Sequence, residues 1–313
     1  MNPLGGQPKV VVICGPTASG KTAAALDLAK EFSGEVINAD SMQIYRYMDI
    51  GTAKPTSDER ARIPHHLIDI VDPDESFDAA RFSKMAHAVI ATLPARGVVP
   101  FVVGGTGLYI KSLLQGLFQA EPTNHEIRNR LKEEAAIQGA DFLHKRLSQC
   151  DPESAQRIHP HDTYRLIRSL ETYEVTGIRI SKYHREHRFK DKPFKVFKMG
   201  LDMNREVLYD RINQRVDAMF EAGFVDEVKG LLERGYPPDL KSMQAIGYRH
   251  VVDYIQGRLS QDEALRTLKR DTRRYAKRQL TWFKADSEIV WIEPDRIKDI
   301  RHLIESFLRN HVP

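Results

Sequence analysis

Cysteine is nearly absent. Cys14 and Cys150 are the only two in 313 residues, and neither stands in a CxxC or Cys/His spacing. That excludes a disulfide framework and a structural zinc site, and it points to a reducing compartment. Uncharged apolar runs of membrane-spanning length are lacking too, so no membrane association is expected. The opening MNPLGGQPK has no basic segment followed by an apolar stretch, so no signal peptide is expected and a cytoplasmic location is. There is no HExxH or comparable spacing; His65, His66, His159 and His161 read as turn and surface histidines. Internal repeats and low-complexity segments are missing as well. Net charge is small, +4 from 47 Lys plus Arg against 43 Asp plus Glu, so it names no partner and only the local distribution of charge can. Oligomeric state is not fixed by any of this; a monomer is expected.

What is present describes a globular chain. The length allows about two domains, and 41% hydrophobic with 29% charged residues is ordinary for a packed core. VVVIC (10–14), EVINAD (35–40), HLIDIV (66–71) and VVPFVVGG (98–105) read as strands, with helical stretches at 21–32 and 78–95 between them. Alternating strand and helix predicts an α/β fold, a parallel sheet flanked by helices, and a G-x-x-x-x-G-K-[ST] loop after the first strand makes it P-loop NTPase-like. From 117 to about 190 the periodicity is helical throughout, so an all-helical insertion domain is expected at 117–194, within a core formed by 1–116 and 195–313. KVFKMGLDM (195–203) reads as a return strand. In the segment that follows, to about 235, Leu208, Ile212, Val216 and Met219 fall on one helix face. Another helix is expected over 262–284 and a last strand over 289–294.

Gly15-Pro16-Thr17-Ala18-Ser19-Gly20-Lys21-Thr22 fits G-x-x-x-x-G-K-[ST], with a strand before it and a helix after it. The glycines let successive amides turn inward around anionic oxygens, the helix directs the positive end of its dipole at them, Lys21 adds a charge, and the Thr22 hydroxyl is placed to ligate Mg²⁺. The alternative is a glycine-rich turn with no ligand, which leaves Lys21 unexplained.

The parts that accompany phosphoryl transfer are incomplete. The strand VVPFVV ends in GGTGLY rather than an acidic residue, although Asp69 and Asp72 are possible substitutes, and there is no guanine-reading Asn-Lys-x-Asp. Asp40 closes EVINAD on the sheet edge where ligands bind. Two roles fit it: a base taking a proton from a nucleophile, or a cap on the following turn. Ser41 and Gln43 beside it carry groups able to read a base edge. Two basic runs stand out, SKYHREHRFKDKPFKVFK (181–198) and the helix at 262–284 with Arg266, Lys269, Arg270, Arg273, Arg274, Lys277 and Arg278. Either run alone fits a solvated face; together with a helical insertion they favour RNA or DNA.

GPTASGKT, INADSMQIYRYMDIGTAKP, PHHLIDIVDP, VGGTGLYIKSLLQG, RIHPHDTYRLIRSLE, QAIGYRH and AKRQLTWF, in this order from about residue 10 to 293, resemble the tRNA dimethylallyltransferases of bacteria. The zinc-finger tail of the eukaryotic relatives has no counterpart here. The resemblance implies transfer of a dimethylallyl group from dimethylallyl diphosphate to N6 of the adenosine 3′-adjacent to the anticodon, with Mg²⁺. The tRNA anticodon stem-loop would be gripped by the helical insertion. It implies that Lys21 and Arg211 neutralise the departing diphosphate, that Asp40 takes the N6 proton, and that Thr106 lies near the acceptor adenosine. It also implies that Asp40, Ser41, Met42, Gln43, Thr106, Arg128, Tyr164, Arg165, Leu166, Ile167, Arg168, Gln244, Ala245, Ile246, Gly247, Tyr248 and Arg249 line the RNA path. Tyr164 departs from the amide side chain of one relative. The competing readings are a small-molecule kinase with Asp40 as base, an adenylate isopentenyltransferase acting on free nucleotide, and a nucleotide-gated RNA-binding protein.

Overall fold

The computed structural model describes residues 6–116, 124–187 and 192–309. The chain divides into two compact units, Met1–Leu114 together with Lys192–Pro313, and Gln115–Asp191. The first unit is built on one six-stranded sheet of β1 (Lys9–Cys14), β2 (Gly34–Asn38), β3 (His65–His66), β4 (Val99–Gly104), β5 (Lys195–Leu201) and β6 (Val290–Ile292). Their order is β3-β2-β4-β1-β5-β6 and every pairing is parallel. The carboxyl ends of the strands therefore open onto one edge. Val11, Ile13, Phe101 and Val103 point to one face and Val10, Val12, Ile37 and Val102 to the other, and all are buried. A sheet covered on both faces needs apolar residues at consecutive positions, which is why these strands are legible as continuous runs.

The predicted strand at 66–71 is a correction. Only His65–His66 pair with β2, and the chain then turns, with φ +63° at Leu67 and +55° at Asp69. An extended strand cannot contain left-handed residues. Asp69 is held there by Lys54 (2.5 Å) and Arg60 (2.6 Å).

Helices α1 (Lys21–Glu31), α2 (Ser57–Arg62), α3 (Ala79–Thr92) and α4 (Gly107–Gln115) alternate with the first strands. α3 stops short of the expected 95 because Pro94 begins a separate 3₁₀ turn. In the second unit α5 (His125–Gln138), α6 (Ala140–Cys150), α7 (Pro152–Arg157), α8 (Thr163–Thr176) and α9 (Ile180–His187) pack around Leu131, Leu143, Leu147, Leu166 and Leu170. Asn124, Asp151 and Asp162 cap α5, α7 and α8 through their side chains. Of the basic run at 181–198, residues 188–191 lie outside the described residues.

The first unit resumes with α10 (Arg205–Glu221), α11 (Phe224–Glu233), α12 (Tyr248–Ile255), α13 (Gln261–Lys284) and α14 (Ile297–Arg309). Leu208, Ile212 and Val216 do share a buried face, but Gly223 at φ +93° breaks the segment after 205 into α10 and α11. α14 lays Ile300 and Ile304 on the cluster formed by α1 and the sheet.

Candidate active site

The loop after β1 enters α1 through Gly20, which is left-handed at φ +93°; no side chain caps the helix, and its first turn carries no acidic residue. The amides of that turn are left for an outside acceptor, the local condition for an anion site. Two further groups wait for the same partner. The Ser19 hydroxyl is buried with no hydrogen-bond partner. Among the described residues Lys21 Nζ donates only to the Pro16 carbonyl, 2.6 Å away. Burial lowers the Lys21 pKa to about 8, Arg215 pushes the same way, and Asp40 opposes them. A buried ammonium without a counter-ion is an unfavourable arrangement that a bound anion relieves.

Lys21, Thr17 and Thr22 line a cavity of about 360 Å³ on the carboxyl edge of the sheet, and Asp40, Ser41, Met42 and Gln43 line it from the end of β2. Asp40 Oδ1 accepts the Met42 amide (2.8 Å) and, more weakly, the Gln43 amide (3.4 Å). The capping role weighed for Asp40 is thus realised by one oxygen, and Oδ2 makes no hydrogen bond among the described residues. Gln43 differs from expectation. Its Nε2 is spent on the Thr52 and Ala53 carbonyls, both at 3.1 Å, which leaves only an acceptor for a base edge. Asp69 and Asp72 do not reach the cavity. Asp69 belongs to Lys54 and Arg60, and Asp72 pairs with Arg46 at 3.0 Å. Cys14 at the end of β1 is buried, and that burial pushes its thiol up to about 12, which disfavours the thiolate form.

The glycines of GGTGLY hold the end of β4 against its neighbours. A Cβ on Gly104 would stand 2.1 Å from the Ala39 carbonyl oxygen, and one on Gly105 would stand 2.3 Å from Gln279 Nε2. This close approach lets the Thr106 hydroxyl accept the Ser41 amide (3.0 Å) and donate to the Ser41 hydroxyl (3.3 Å), beside Asp40. Arg211, on α10, brings Nη1 within 3.9 Å of the Cβ position at Gly20, at the rim of the phosphate loop.

Ala245, Ile246, Gly247 and Tyr248 line the same cavity. Tyr248 is nonetheless fully buried, its ring edge-on to Phe224 and its hydroxyl donating to Glu227 Oε1 at 2.7 Å. Its polar atom is therefore taken, and its part in the site is packing. Glu227 also accepts the amides of Asp49 (2.8 Å), Ile50 (2.7 Å) and Gly51 (3.1 Å), which fixes the loop behind the cavity. Gln244 is exposed and donates to the Pro238 carbonyl. Arg249 donates to Asp271 at 2.8 Å. Burial works to raise the Asp271 pKa, but bonds from Arg270, His250 and Arg249 bring it down to about 2.

In the helical unit Tyr164 is 74% exposed and Arg165 is also exposed. Leu166 and Ile167 are buried in the unit's core, so direct RNA contact by these two side chains is a correction: consecutive residues of a helix cannot all face one partner. Arg128 and Arg168 both hold the buried Glu171, at 2.7 and 3.1 Å.

A family model described as IPP transferase matches residues 43–286. The chain belongs to the IPP transferase family. It is 51% identical over 304 residues, 97% of each chain, to a tRNA dimethylallyltransferase of Desulfosudis oleivorans. The full-length tRNA isopentenylpyrophosphate transferase of Bacillus halodurans is similar in structure, with a TM-score of 0.72, 44% identity, and coverage of 96% of this chain and 97% of that one. A eukaryotic dimethylallyltransferase acting on tRNA gives a TM-score of 0.78 at 30% identity, over 96% and 77% of the two chains.

Within this IPP transferase chain, sequence reasoning missed part of the cavity wall. Arg215 lies one turn beyond Arg211, and its pKa is lowered by burial and by that neighbouring guanidinium. Leu268, Thr272, Tyr275 and Gln279 of α13 also line the cavity, with Arg278 beside them. The signal was available. These four residues are spaced 4, 3 and 4 apart, one helix face, on a segment read above only for its basic stripe.

Proposed function

We propose that this chain transfers a dimethylallyl group from dimethylallyl diphosphate to N6 of the adenosine 3′-adjacent to the anticodon of tRNA. One observation carries the reading: a buried, unneutralised Lys21 and a carboxylate with a free oxygen, Asp40, open into the same cavity. The cation suits an anionic leaving group, and the carboxylate suits a proton acceptor.

In this mechanism the allylic C–O bond breaks and its electron pair leaves with diphosphate. The N6 lone pair forms the new C–N bond, and Asp40 Oδ2 takes the N6 proton. Loop amides, the Ser19 hydroxyl, Lys21, Arg211 and Arg215 meet the charge that grows on diphosphate, the largest electrostatic contribution. The acceptor base leaves its stack to enter the cavity. Thr22 lines the cavity beside Lys21, and its hydroxyl, a hard oxygen donor, would be the protein group that holds Mg²⁺ next to a bound diphosphate. Bound there, the ion would neutralise diphosphate oxygens. The exposed Tyr164 and Arg165 suit stacking and phosphate contact in the anticodon stem-loop. Action as a cytoplasmic monomer on tRNA is part of this proposal; among the described residues no helix is long and apolar enough to cross a membrane.

The test is mass spectrometry of nucleosides from tRNA incubated with the protein, Mg²⁺ and dimethylallyl diphosphate. One adenosine per tRNA should gain a C5H8 unit. Prenylated free AMP with unmodified tRNA would favour the free-nucleotide enzyme, and ADP formed from ATP with a phosphorylated acceptor would favour a kinase.

A further inference from the structure

Gln279 is buried, 6% exposed, in the middle of the otherwise basic helix α13. Both ends of its carboxamide are engaged: Oε1 accepts the Thr17 amide at 2.9 Å, and Nε2 donates to the Gly105 carbonyl at 2.9 Å. Thr17 belongs to the phosphate loop after β1, and Gly105 to the loop after β4. Gly105 leads into Thr106, whose hydroxyl accepts the Ser41 amide next to Asp40. Tyr275, one turn before Gln279, lines the same cavity. Hydrogen bonds, joined by the peptide link between Gly105 and Thr106, thus connect the loop that faces the leaving group to Ser41, the residue after Asp40. Both attachment points of Gln279 are main-chain atoms, so its grip does not depend on a neighbouring side chain.

We infer that Gln279 is a positioning residue for the transfer reaction, setting the separation between the diphosphate loop and the acceptor loop that carries Thr106. The inference rests on the activity proposed above. The chemistry is particular to a carboxamide, since one end must accept and the other must donate. A carboxylate of the same shape would turn an oxygen towards the Gly105 carbonyl, and a thioether would satisfy neither backbone group. The donor carbon and N6 must meet within a few tenths of an ångström of the right geometry. A misplacement of about 1 Å lowers a rate about 10²-fold. Gln279 touches neither reacting atom in this scheme, so its removal should act on the rate of the bound complex rather than on substrate affinity.

Gln279→Glu and Gln279→Met are to be compared with the unaltered protein, using full-length tRNA, dimethylallyl diphosphate and Mg²⁺. Single-turnover transfer, both KM values, tRNA affinity and melting temperature are measured. The expected result is a fall of about 10²-fold in transfer at saturating substrates in both variants. Both KM values and the tRNA Kd should stay within about threefold, a split that loss of folded protein does not produce. Rates within about threefold of the unaltered protein would overturn the inference. So would a loss seen wholly in KM, or failure of both variants to fold, which would assign Gln279 to the core alone. If the unaltered protein itself does not prenylate tRNA, the proposed function fails, a separate outcome from these.

Discussion

Lys21 and Asp40 face one cavity from the ends of strands that are not neighbours in the sheet, with β4 between them, and they are not joined as an ion pair. Asp40 raises the Lys21 pKa from across the cavity, yet burial and Arg215 outweigh it. A direct pair would neutralise both groups. Held apart, each remains available to a different part of a substrate, and the following expectations depend on that separation.

Asp40→Asn keeps the Oδ1 acceptor for the Met42 amide and removes only the basicity of the side chain. Transfer should fall at least about 10²-fold, with tRNA affinity unchanged. Single-turnover rates and a filter-binding titration check this, and near-normal turnover would remove Asp40 as the base.

Lys21 makes a prediction with a definite sign. Its folded pKa of about 8 lies below the ordinary 10.5. Below pH 8 the lysine is charged in both folded and unfolded states, and the folded state carries the full penalty of a desolvated charge. Between 8 and 10.5 the unfolded chain holds more protons, so stability rises with pH in that window. Lys21→Met should therefore stabilise the substrate-free protein by about 1–3 kcal/mol at pH 7, with the difference shrinking as pH rises through 8. The same variant should transfer poorly while still binding tRNA. In the unaltered protein kcat/KM for the donor should decline above about pH 8 as the free ammonium is lost. Thermal melts and donor titrations across pH 7 to 10 measure both.

Gly104→Ala places a methyl 2.1 Å from the Ala39 carbonyl oxygen, with the Ala39 carbonyl carbon and Cα next, all of them backbone. Relief requires β2 and β4 to part, so a loss of at least about 3 kcal/mol is expected. Gly230, inside α11, is the control: nothing lies within 4 Å of its Cβ position, and Gly230→Ala should gain about 0.5–1 kcal/mol. Urea unfolding of the two variants side by side decides it.

Arg165 and Arg185 pair with Asp162 and Glu153 at 3.4 and 3.6 Å while remaining exposed. Such pairs contribute little, and each guanidinium is free to exchange its carboxylate for a phosphate. Replacing both with Gln should weaken tRNA binding and reduce the slope of log Kd against log salt by about 1 per phosphate contact. An unchanged slope would place both residues off the interface.

Legibility in the sequence followed the range of the interactions. β1 and β4 were readable because burial on both faces demands apolar residues at every position, a local signature. The phosphate loop was readable because its glycines answer to a local backbone shape. The strand expected at 66–71 was misjudged because ion pairs from Lys54 and Arg60, at a distance in sequence, stabilise the turn at Asp69. Leu166 and Ile167 were grouped with Tyr164 because a motif is a run of letters, whereas a helix sends neighbouring letters in different directions. Gln279 was overlooked because cations dominate α13, and a single amide declares its role only when both of its backbone partners are seen.

The break at Gly223 carries a consequence for the whole cavity. The turn lets one stretch of polypeptide first supply Ile212 and Val216 to the wall and then double back, so that Glu227 gathers the amides of 49–51. An L-residue at φ +93° is strained. A variant that straightened this elbow into one rod would withdraw the carboxylate and leave that segment unanchored. The chamber would then slacken from behind, although every atom bordering it kept its chemical identity.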